Sequence, residues 1–144
     1  MRKVLGIGAV MVCVLISTLV TAQETHQKQL FINLTSPSVD RAGMAIEFST
    51  KVMEMKQLPA TIFLNTQGVS IANVETESPM HASGKTIRQM LSHFMDKGGK
   101  VYICPMCMKN IGHFDPSKLM EGVVTAGKPT LDALFADGTK VMSY

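Results

Sequence analysis

The sequence predicts a single α/β domain: a mainly parallel sheet of about five strands with helices on both faces. Three observations carry this. Short apolar runs alternate with longer stretches whose apolar residues recur at helical spacing, from residue 29 to 144. Such alternation implies βαβ units, right-handed crossovers and flavodoxin-like layering. The chain has 144 residues, 46% apolar and 17% charged, which suits one core and not two. The apolar content excludes a disordered chain, and only 3 Cys exclude a disulfide-dense mini-protein.

The elements follow in order. Leu30 to Leu34 (LFINL) suits a buried strand, and the loop residues Thr35-Ser36-Pro37-Ser38 end it. Ser38 or Asp40 caps a helix reaching about Lys56, with Met44, Phe48, Val52 and Met55 on the expected core face. Leu58-Pro59 breaks it. Ala60 to Leu64 (ATIFL) is a second strand, with Val69 to Val74 as an extension or edge piece. After a polar loop, Ser83 is expected to cap a helix to about Lys97, with Ile87, Met90, Leu91, Phe94 and Met95 inward. Gly98-Gly99 stops it. Lys100 to Ile103 (KVYI) is a third strand. Asp115-Pro116 opens a helix through Leu119 and Met120, and Val123-Val124 is a brief fourth strand. Thr130 to Ala136 is a short helix with Leu131, Leu134 and Phe135 inward, and Lys140 to Ser143 closes the chain as a strand.

Residues 1–22 stand apart from this pattern. Arg2 and Lys3 precede an uncharged apolar run to about Val20, which ends in Val20-Thr21-Ala22. That is the layout of a secretory signal peptide, with an uncleaved membrane anchor as the competing reading. Cys13 lies inside the apolar run and not at the cleavage point, which argues against a lipoprotein. Residues 23–28 form a polar, loose lead into a domain spanning 29–144. The expected location is the periplasm or the exterior. Cleavage removes two of the 14 basic residues and leaves 12 against 11 acidic, a charge of about +1. No basic patch is left for nucleic acid, and no basic amphipathic helix for a membrane surface. The glycine-rich signatures of dinucleotide and phosphate binding are also absent.

The chemistry is concentrated in Cys104-Pro105-Met106-Cys107-Met108-Lys109-Asn110-Ile111-Gly112-His113. Two thiols two residues apart close into a disulfide, chelate one soft ion, or pass a sulfur atom between them. A helical turn starting at Pro105 puts Cys104 at its N-terminus, where backbone N–H groups favour a thiolate. Cys104 is then the nucleophile and Cys107 the resolving thiol. Inert, buried cysteines are the plainer alternative.

The stretch KVYICPMCMKNIG resembles the cysteine motif of the DsrE/DsrF-like family of sulfur-handling proteins, with Cys104, Cys107, Met108 and Gly112 at matching positions. SPSVDRAGMAIEFSTKVM resembles the family's first helix, and TIFLNTQGVSIAN its second strand and the segment after it. The likeness runs from about Gln29 to Tyr144. It implies a small α/β fold that assembles into homotrimers or hexamers, and a persulfide-carrying cysteine that maps onto Cys104. Ile111 departs from the Arg found there in several members. The export signal departs from the family's cytoplasmic sulfur relays.

Two other readings use the same residues. Cu(I) favours thiolate and thioether ligands, so Cys104 and Cys107 with Met108 or His113 form an alternative metal site; no other cofactor is expected. Met80-His81 is a loop that reaches the same crevice if it follows the second strand. Zinc needs four ligands, more than the pair supplies. The third reading is an oligomeric module with passive cysteines. Turnover is not fixed by any of these residues, so a carrier and an enzyme both fit the pair.

Overall fold

The computed structural model describes residues 28–144. The signal-peptide reading of residues 1–22, and nearly all of the loose lead after it, lie outside the described residues. Strands β1 (Gln29–Leu34), β2 (Ala60–Leu64), β3 (Lys100–Ile103), β4 (Val124–Thr125) and β5 (Thr139–Ser143) form one sheet in the order β4-β3-β2-β1-β5. Every pairing is parallel, so the sheet is wholly rather than mainly parallel. Four helices join the strands: α1 (Val39–Lys56), α2 (Ile87–Asp96), α3 (Pro105–Asn110) and α4 (Lys128–Phe135).

The strand order fixes the layers. From β1 to β4 the chain steps one way across the sheet, so right-handed crossovers place α1 and α2 on one face. From β4 to β5 it steps back across the sheet, which carries α4 to the other face. The main core lies under α1 and α2. There Leu30, Ile32, Leu34, Ile62, Leu64, Val101 and Ile103 meet Ala42, Ala45, Ile46, Leu91 and Phe94. Phe94 is fully buried, and cutting it to Ala costs about 3–5 kcal/mol.

The contact face of α1 differs from the expected one. Met44 is 57% exposed and Met55 75%, and Phe48 is also exposed, while only Val52 of that stripe packs on the core. The buried residues are Ala42, Gly43, Ala45, Ile46, Ser49 and Thr50. They follow the same helical spacing, but all except Ile46 are small. Small side chains let the helix lie close on the sheet, whereas a Met and Phe face would hold it away. The two buried hydroxyls are satisfied locally: Ser49 donates to the Ala45 carbonyl at 2.7 Å and Thr50 to the Ile46 carbonyl at 2.8 Å.

Four local expectations also change. Residues Thr66–Ala72 form a 3₁₀ segment in place of the expected strand extension. α2 starts at Ile87, not after Ser83. Thr86 is its N-cap in a capping box with Gln89, and the Ser83 hydroxyl lies 3.0 Å from His81 Nδ1 instead. The helix expected after Asp115 is a single 3₁₀ turn, Pro116–Lys118, in which Asp115 caps the Ser117 N–H at 2.8 Å. In α4, Leu131 is 56% and Phe135 78% exposed, while Leu134 is half-buried; Leu131 and Leu134 line an open cavity with Phe31 and Phe63. An eight-residue helix covers too little of the sheet to bury all three. The predicted glycine stop holds, since Gly98 adopts φ +92° just past α2.

Candidate functional site

Cys104 follows β3 directly and occupies the N-cap of α3, with Pro105 in the first turn. Its backbone N–H donates to the Leu64 carbonyl at 2.9 Å, extending the β2–β3 ladder by one bond. The thiol therefore sits at the carboxyl edge of the parallel sheet, where α/β proteins place ligands. Val101 and Ile103 point into the core under α1 and α2. Strand alternation then directs Tyr102 and Cys104 to the face that carries α4.

The two cysteines meet across the first helical turn. The Cys107 backbone N–H donates to Cys104 Sγ at 3.2 Å. Both are free thiols and both are partly exposed. Burial pushes the Cys107 thiol above its ordinary value, and its hydrogen bond with Cys104 pushes it the same way. The backbone of Thr66 acts in the opposite direction. Two sulfurs one turn apart, with a backbone donor aimed at Cys104, can form a mixed disulfide, exchange a sulfur atom or close on each other.

The other residues singled out from the sequence are placed as follows. Met108 is 4% exposed and belongs to the main core. Met106 projects outward. His113 is exposed and sits in the loop after α3 with φ +53°. Among the described residues, no three His, Cys, Asp or Glu side chains come together closely enough to hold a metal ion, so His113 does not join the cysteine pair in such a group. His81 packs over Gly43 of α1, where an added Cβ would stand 2.4 Å from its ring. It is thus engaged on the helical layer.

Sequence reasoning missed the turn that faces the cysteines. Asn65 continues β2 in extended conformation, and Thr66 then reverses the chain with φ +46°. Asn65 donates through its side-chain amide to Asn33, and Asn33 donates to Ser143 Oγ at 3.4 Å, a polar series across the edge of three strands. Asn33 is the one polar residue in LFINL, and that interruption was a readable sign. The backbone of Thr66 left no sign in the sequence.

The fold and the site together define a class: a wholly parallel α/β domain with a thiol pair at its carboxyl edge. The model of the DsrE/DsrF-like family matches residues 27–144, and the chain belongs to that family. Membership points to sulfur-related chemistry in general. Among the solved structures that share the fold are the following two. The ychN protein from E. coli is 18% identical, with a TM-score of 0.61, covering 81% of this chain and 99% of that one. Protein MTH1491 from Methanobacterium thermoautotrophicum, a protein of unknown function, is 12% identical, with a TM-score of 0.66 and the same coverage of each chain, 81% and 99%. No curated protein matches the chain.

Proposed function

We propose that this chain is an exported thiol- and sulfur-handling protein. Cys104 attacks a disulfide or accepts a sulfane sulfur, and Cys107 resolves the product. The observation that carries the reading is the backbone N–H of Cys107 aimed at Cys104 Sγ at 3.2 Å, at the open edge of the sheet. That arrangement supports the reading of Cys104 as the first nucleophile, with the second thiol one turn away. Family membership supports the same chemistry.

The protein works as a homo-oligomer in this reading. Support comes from the α4 face, where Val124, Leu131, Phe135 and Val141 are all more than half exposed. A second copy that covers them lies near the Cys104 edge. Export rests on the apolar run before Gln23, with cleavage after Ala22.

The test is intact mass of the exported protein purified without reductant. The expected species starts at Gln23 and carries one extra sulfur, or a thiol adduct, that reductant removes and Cys104→Ser abolishes. A bare, fully reduced chain that stays unmodified by persulfide and disulfide donors would overturn the reading.

A further inference from the structure

Phe31 is buried, yet it lies outside the main core. Its strand neighbours Leu30 and Ile32 belong to that core, with Ile32 under α1 and α2, so alternation directs Phe31 to the face that carries α4. Phe63 lies the same way on β2, and the two rings stand 6.3 Å apart, tilted by 47°. With Leu131 and Leu134 of α4 they wall an open cavity of about 240 Å³. No charged side chain lines it. Its one polar side chain, Thr130, is engaged in capping α4, where its hydroxyl accepts the Gly127 N–H at 3.3 Å. Phe135 and Val141, which carry the oligomer reading, are not among its walls.

The near end of this cavity adjoins the thiol. Register pairs Ile103 with Thr125, and the Ala126 N–H donates to the Ile103 carbonyl at 2.8 Å. Ala126 therefore stands beside Cys104 at one strand spacing, about 5 Å, and both Ala126 and Gly127 line the cavity. On the other side, Phe63 pairs with Tyr102, one pleat before Cys104. A group bonded to the Cys104 sulfur thus has an uncharged, mostly apolar space next to it. An apolar cavity of about 150 Å³ suffices for benzene. This one is larger, but it falls short of the about 300–1,000 Å³ of a site for a drug-sized molecule, so it suits a single ring or branched chain.

We propose that the cavity is a substrate subsite for Cys104, and that it selects small organic disulfides whose substituent is one aromatic ring or branched alkyl chain. This rests on the reading of Cys104 as the first nucleophile and adds a substrate class to it. The Cys104 thiolate attacks the near sulfur of R–S–S–R′. A bond forms between Cys104 Sγ and that sulfur, the old S–S bond breaks, and its electron pair leaves with R′–S⁻, which takes up a proton from solvent. The disulfide is the oxidant, and R stays on Cys104 within the cavity. A charged substituent gains nothing there, because burying a charge without a partner is costly.

The experiment gives the reduced mature chain two probes with the same coloured leaving group, the 2-pyridyl disulfides of 2-phenylethanethiol and of 2-mercaptoethanol. Release of 2-thiopyridone reports each rate, and the urea-unfolded chain supplies the intrinsic ratio. The folded wild type is expected to prefer the phenylethyl probe by about tenfold beyond that ratio, the order given by burying one ring. Gly127 is extended at φ −166°, and an added Cβ there meets nothing within 4 Å, so Gly127→Leu fills the near end without a clash. It should abolish the preference. Leu131→Ser, at a side chain already 56% exposed, opens a wall and should weaken the preference several-fold, which keeps the test alive if the first variant fails to fold. No preference in the wild type, or one that survives both variants, would overturn the proposal. So would a preference confined to the disulfide of a Phe–Cys peptide, which would point to a protein partner, or one seen only on dilution to the monomer, which would put a second copy's side chain in the cavity. Release at the wild-type rate from Cys104→Ser would instead remove the reading of Cys104, so the two failures are separable.

Discussion

The backbone N–H of Cys107 donates to Cys104 Sγ at 3.2 Å. Burial holds the proton on the Cys107 thiol, and the neighbouring Cys104 side chain acts the same way. One cysteine thus serves as donor to the other, and the pair is unequal although the motif is nearly symmetric.

Inequality makes the two serine variants behave differently. Cys104→Ser is expected to abolish persulfide and mixed-disulfide formation. Cys107→Ser should still form the adduct but fail to release it, so the adduct accumulates. Intact mass after exposure to a disulfide donor distinguishes them. Equal loss in both variants would contradict the assigned order.

The pH dependence of Cys107 follows from its environment. Burial raises its thiol above the ordinary value, and this cause survives in Cys104→Ser. Only the thiolate reacts, so alkylation of Cys107 in that variant should reach its half-maximal rate at a higher pH than a free cysteine peptide does. The linkage has the matching sign. A group whose folded value is raised contributes stability that is fully present below the unfolded thiol's value, and this is lost as pH rises through the folded one. Alkaline unfolding should therefore begin earlier in the wild type than in Cys107→Ser.

Met108 separates the sulfur reading from a Cu(I) site. Its side chain is buried in the core, so Met108→Leu preserves volume and should cost less than about 1.5 kcal/mol, against about 2–5 kcal/mol for Met108→Ala. Thiol reactivity should survive Met108→Leu. Competition of the reduced protein with a Cu(I) chelator is expected to give the same affinity for wild type and variant. A drop of tenfold or more would place the thioether among the ligands and favour the metal site.

The exposed apolar face beside α4 should set the association state. Phe135→Asp puts a charge where the ring is 78% exposed, so it leaves the monomer's own packing nearly untouched. Sedimentation equilibrium should show a smaller species than wild type, with unchanged far-UV circular dichroism. If the wild type is already monomeric at working concentration, the oligomer proposal fails.

Gly68→Ala tests the turn that carries Thr66. The added methyl would meet a backbone carbonyl, which cannot rotate out of the way. A loss of about 1–3 kcal/mol is expected in urea unfolding.

Local pattern alone determined much of this protein. The runs ATIFL and KVYI are strands within the predicted limits, α2 buries Ile87, Met90, Leu91 and Phe94 as its stripe requires, and Cys104 caps a turn that begins at Pro105. Each of these is written in neighbouring residues: apolar period, a capping position, a proline. The cysteine motif was legible for the same reason, since both thiols lie within one turn. The tertiary structure decided what depends on distance between elements. Apolar periodicity marked Met44, Phe48 and Met55 on α1, but the sheet accepted the small face of Ala42, Ala45 and Ser49, because only small side chains permit a close approach. Val69 to Val74 has strand composition, yet the chain is already reversing at Thr66 under hydrogen bonds from the end of β1. That reversal is held by backbone carbonyls of Leu34 and Thr35, and backbone groups carry no residue identity, so it became visible only once the strands had been laid side by side.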